Sequence, residues 1–173
     1  MKPEEYLADV FVPLAKAHRK YLIDDSGFAR HFRNKIYRHA CYALDDFNNY
    51  RKLYASKAAQ AEFRKTNKGM IHDCDVSYVT ILCKGNKVKK YHYEHVFTNS
   101  MLINLVEKGP LTVDRIKRII NANFCTAWIL TEENVRLTGN KLKSIRGDTL
   151  KKALQKYREI GIPLIDRYGK SVN

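Results

Sequence analysis

Thr126-Ala127-Trp128-Ile129-Leu130-Thr131-Glu132-Glu133-Asn134 runs from an apolar stretch into a pair of acids, and this passage decides the fold class. Thr126 to Thr131 reads as a short apolar strand. Thr131 reads as a helix N-cap, and Glu132 and Glu133 sit where a helix's positive end favours acids. A strand therefore leads straight into a helix. Upstream, Lys87 to His95 reads as the returning strand of a hairpin. Its first arm is Val76 to Cys83, rich in β-branched and aromatic residues, and Lys84-Gly85-Asn86 forms the turn. Two helical stretches, Ser100–Glu107 and Val113–Asn121, lie between the strands and are separated by Gly109-Pro110. Beyond them, Asp148 to Ile160 is an amphipathic helix closed by Gly161 and Pro163.

The chain before this region is helical in pattern. Pro3-Glu4-Glu5 suits a helix start, and Leu7, Val10, Phe11 and Leu14 give an apolar stripe. Asp24-Asp25-Ser26-Gly27 is a break offering three N-cap residues. The next helix puts Phe28, Phe32, Ile36, Ala40, Ala43, Leu44 and Phe47 on one face, and Arg30, His31, Asn34, Arg38 and Tyr42 on the other. A further helix is expected from Tyr50 through the alanine-rich run to Arg64. The expected architecture is α+β: a helical region over residues 1–68, then strands and helices over 70–173, forming one compact unit.

Composition narrows the function classes. The 173 residues carry 32 Lys and Arg against 18 Asp and Glu, a formal net charge of +14. A surface that basic is matched by a polyanion, and nucleic acid is the commonest one. Basic side chains beside aromatics, such as Arg30 and Arg38, can follow phosphates, and Lys141 and Lys143 in a glycine-bounded loop can do the same. No apolar run reaches the roughly 18 residues of a membrane span. No signal-like segment follows Met1, so the expected location is cytoplasmic. Four scattered cysteines (Cys41, Cys74, Cys83, Cys125) suit a reducing compartment. No phosphate-cradling or nucleophile-elbow glycine motif occurs. His72, Cys74, Cys83 and His92 could gather across a hairpin as a zinc site, though without the usual paired cysteine spacing.

Chemistry concentrates at Glu94-His95. A histidine beside a carboxylate at a strand end can serve as general base toward water. A carboxylate and an amide oxygen brought together suit a hard cation such as Mg²⁺. The stretch Tyr93-Glu94-His95-Val96-Phe97 resembles the acid-histidine element of the HNH, or His-Me finger, nucleases. Trp128 to Asn134 resembles their second strand and metal-binding helix. The resemblance covers roughly residues 88–137. It implies a ββα-metal core and metal-dependent hydrolysis of DNA phosphodiester bonds, with Glu94 and Asn134 as ligands of Mg²⁺ or Mn²⁺. It makes His95 the general base and Asn123 the residue that orients it. The sequence departs from the family pattern at Phe97, where a proline is common. The insert is also long, and no cysteine pairs brace the finger. Two other readings stay open: a basic protein that binds DNA or RNA without cutting it, and a metal-independent ribonuclease. One finger makes one cut, so double-strand cleavage would imply a homodimer.

Overall fold

The computed structural model describes residues 3–21, 24, 26–37, 39, 52–73, 80–83, 86–142 and 147–172. It is mixed α+β, as expected, but the chain divides differently from a split near residue 69. One compact unit joins residues 1–51 to 99–124, and the other joins 52–98 to 125–173.

Among its described residues the first unit is helical. α1 (Pro3–Tyr6), a π-helical stretch (Leu7–Phe11) and α2 (Val12–Lys20) follow without a break. Pro13 has no N–H to give to the carbonyl four residues back, and the wider turn before it places the Val12 N–H on Leu7 O instead. Leu7, Phe11 and Ala15 recur every four residues and are fully buried. Of the expected stripe Leu7 and Phe11 are thus buried, while Val10 and Leu14 are half-buried and Ala15 joins instead. Burial of each large side chain contributes about 1.5–3 kcal/mol. α3 (Gly27–His31) is capped by Ser26, whose hydroxyl accepts the Ala29 N–H, and a second π-helical stretch covers Phe32–Tyr37.

α5 (Asn99–Glu107) and α6 (Val113–Asn123) complete this unit, close to where the sequence predicts them. Arg115 donates to the carbonyls of Leu105, Val106 and Pro110, and Arg19 donates to those of Glu107 and Gly109. The end of α5, where carbonyls lack helical partners, is thus closed by two guanidinium groups.

The second unit holds the sheet. Its strand order is β4-β5-β1-β6, from β1 (Lys52–Ser56), β4 (Tyr91–His95), β5 (Cys125–Leu130) and β6 (Leu164–Ile165). β1 and β5 are parallel, with Leu53 opposite Thr126 and Ala55 opposite Trp128. β4 runs antiparallel to β5, and β6 antiparallel to β1. The predicted helix from Tyr50 is therefore wrong at its start. Leu53-Tyr54-Ala55 pairs with β5 in the middle of the sheet, and this tertiary pairing outweighs the helical preference of the alanines that follow. The helix α4 begins at Lys57 and runs to Arg64, with Ser56 as its cap.

The predicted returning strand from Lys87 to His95 is two strands. β3 (Asn86–Lys89) pairs with β2 (Thr80–Cys83) in a separate hairpin, and β4 joins the main sheet. Residues 76–79 and the turn at 84–85 lie outside the described residues. Tyr91, Trp128, Leu130, Ala55 and Ile165 pack with Ala59 and Phe63 of α4. Ala127 and Ile129, which alternate to the opposite face, are also fully buried. α7 (Thr131–Gly139) packs against both β4 and β5. α8 (Leu150–Glu159) buries Ala153 and Tyr157. Among the described residues no helix is long and apolar enough to cross a membrane.

Candidate active site on the edge strand

β4 carries Glu94 and His95 to its C-terminal end, where Glu94 lies opposite Ala127 and His95 opposite Thr126. Consecutive strand residues project to opposite faces, and the contacts follow that rule. On one face His92 Nε2 donates to Glu94 Oε2 at 2.9 Å, with the Glu94 side chain 12% exposed. On the other, Tyr93 and His95 lie edge to face at 6.5 Å between ring centres. There the Tyr93 hydroxyl shares a hydrogen bond of 2.9 Å with Thr126 Oγ1. The strand therefore brings Glu94 together with His92 and not with His95. In the sequence His92 stands out only as a zinc candidate, although its i, i+2 spacing from Glu94 is the signal for this pairing.

Asn134 is half-buried in the first turns of α7. Glu133, 1% exposed, accepts the Ser56 hydroxyl proton at 2.5 Å and the Leu130 N–H at 2.8 Å, which ties this side of the helix to the end of β1. Arg136 donates to the carbonyls of Ile160 and Gly161, in the turn that leads to β6. Asn134 lies in the first turn of a helix that begins beside Lys90 and Tyr91, since the Thr131 N–H donates to the Lys90 carbonyl and Leu130 pairs with Tyr91. Glu94 pairs with Ala127, three residues further along β4 than Tyr91, so the register sets the helix start and the Glu94 carboxylate at different ends of that strand.

The other predicted residues belong to other elements. Asn123 ends α6 in the helical unit, and its side-chain amide donates to the Ile119 carbonyl at 3.0 Å. Arg30 is exposed on α3. Lys141 is exposed and holds a left-handed backbone at φ 57°. Arg38 and Lys143 lie outside the described residues. Of the zinc candidates, His72 is buried in a short 3₁₀ turn (Ile71–Asp73), where burial pushes its imidazole below the usual range. Cys74 and the Cys83 side chain are outside the described residues.

Among the described residues no three His, Cys, Asp or Glu side chains gather as a metal cluster. An ion at β4 would meet the Glu94 carboxylate, an oxygen ligand of the kind Mg²⁺ accepts, with His92 hydrogen-bonded to it. No family model, curated protein or solved structure matches the chain.

Proposed function

We propose that this protein is a metal-dependent endonuclease that hydrolyses phosphodiester bonds in DNA, with its site at the end of β4. The observation that carries the reading is the order and packing of three elements: β4, its antiparallel partner β5, and α7 lying against both. Glu94 and Asn134 would hold a divalent cation, which when bound supplies charge to offset that developing on the phosphate and its leaving oxygen. His92 holds the Glu94 carboxylate in place. His95 takes a proton from the attacking water. The net charge of +14 supplies the attraction for the backbone.

The test is nicking of supercoiled plasmid in Mg²⁺ or Mn²⁺, with and without EDTA. Cleavage by the wild type should require the metal. His95→Ala should lower the rate by about 10²–10⁴, as loss of a general base does, and leave DNA affinity within a few-fold. If His95→Ala cuts normally and His92→Ala does not, the base is His92 and the role given to His95 is wrong. Cleavage of RNA in EDTA would point to a metal-independent ribonuclease. Linearisation in one event would point to two copies acting together.

The divergence of Glu94 and His95 to opposite faces favours a second reading, a basic protein that binds DNA or RNA without cutting it. A salt-sensitive gel shift with every plasmid left intact is its signature.

A further inference from the structure

We propose that the aromatic patch at the start of α3 is a docking site for single-stranded nucleic acid, with Phe28 stacking on an unpaired base. The proposal rests on the nucleic-acid reading above and adds a preferred form of the ligand.

The sequence pattern places Phe28, Phe32 and Ile36 together on an inward face. In the fold Ala29 and Phe32 are buried instead, while Phe28 is 61% and Ile36 41% exposed. The change from α to π hydrogen bonding at Phe32 shifts the helix phase, so Ile36 no longer follows Phe32 inward. Phe28 is nevertheless held. Its ring stands edge-on to Tyr21 at 5.6 Å and lies 6.5 Å from Phe32, and Tyr21 packs on Phe32 at 5.6 Å. A phenyl ring braced by two others and largely open to water is a preorganised stacking surface.

Basic side chains lie beside it in the chain. The Lys20 ammonium lies 5.7 Å from the centre of the Tyr21 ring, and Arg30, His31 and Lys35 are exposed on the same helical stretch. Asp24 is an acid nearby among the described residues, and its carboxylate accepts the Ser26 N–H in the turn before α3. Stacking rings set among cations are the arrangement by which proteins hold unpaired bases and their phosphates. A duplex keeps its base faces covered, so it can use the cations but not Phe28. An anionic membrane also attracts cations, but its grip grows with apolar area, and Phe28 with Ile36 offers little.

Fluorescence anisotropy of the full chain with labelled oligothymidylate, with a duplex of the same length, and with phosphatidylglycerol vesicles tests this. Phe28→Ala should weaken oligothymidylate binding by roughly 5- to 150-fold, the usual range for one base–aromatic stack, and leave duplex binding unchanged. Phe28→Trp should restore the loss. Thermal melts of both variants establish that they fold. Unchanged oligothymidylate affinity in Phe28→Ala overturns the site, as does an equal loss on duplex. Binding in which Phe28 matters for vesicles alone overturns it too. These results leave the nucleic-acid reading standing, whereas failure of the wild type to bind any nucleic acid defeats both.

Discussion

β1 and β5 lie side by side, run in the same direction, and each turns at once into a helix, yet the two turns are closed by different chemistry. At the end of β1, Ser56 accepts the Ala59 N–H at 3.0 Å and caps α4 with its own oxygen. At the end of β5 the cap position is Leu130, which has no oxygen to offer. The Glu133 carboxylate reaches back to the Leu130 N–H instead, and the same oxygen accepts the Ser56 hydroxyl proton. The first turn is closed locally. The second is closed by a group that also serves the first, so the dependence between them runs mostly one way.

That asymmetry is open to measurement. Glu133→Ala should have the largest effect. It leaves two buried donors without acceptors, each costing about 1–3 kcal/mol, so a total near 3 kcal/mol is expected. Thermal unfolding should then fall by roughly 6–12 °C for a chain of this size. Ser56→Ala removes one cap and one donor to the carboxylate, and should cost about 1–2 kcal/mol in urea unfolding. A Ser56→Ala loss equal to that of Glu133→Ala would mean that the two turns depend on each other symmetrically.

The smallest expected effect lies at the far end of α7. There Lys141 N–H reaches Thr138 O and Leu142 N–H reaches Leu137 O, the bond pattern of a helix closed by a left-handed residue. α8 closes in the same way through Gly161 at φ 73°, where no Cβ is strained. Lys141 adopts that conformation with a side chain. Lys141→Gly should therefore raise stability by about 0.5–1 kcal/mol, read as a higher urea midpoint. A loss of stability would show that the lysine side chain holds the turn through contacts of its own.

The same two turns show what the sequence could reveal. Thr126 to Glu133 was legible because apolar strand residues stop abruptly at acids, and the helix start falls within a residue of its predicted place. Lys52 to Arg64 was not legible. Ala55, Ala58 and Ala59 favour helix on their own, and what makes Leu53-Tyr54-Ala55 a strand is β5, about 70 residues further along the chain. Ser56 was the available signal, a capping residue inside an apparently continuous helix.

The site divides in the same manner. Glu94 and His95 could be chosen as chemically apt, but that they diverge follows from the strand periodicity, by which consecutive residues face opposite ways. The pairing of Glu94 with His92 needed only that same rule. Asn123 could not be placed from the sequence, because its helix belongs to the other compact unit.

The meeting of β4 and β5 also bears on how such a chain can change over time. The pair keeps its ladder to the end, with His95 opposite Thr126 and the Val96 N–H donating to Cys125 O at 2.9 Å. Yet residues 99–124, which lie between these strands, belong to the helical unit. The ends of the insert are thus already held together by a hairpin that does not need it, and lengthening a loop costs only about 0.6 kcal/mol for each doubling. Helices α5 and α6 occupy the position of a hairpin tip. A change of length there would leave the β4–β5 register in place, and its cost would fall on the helical unit to which α5 and α6 belong.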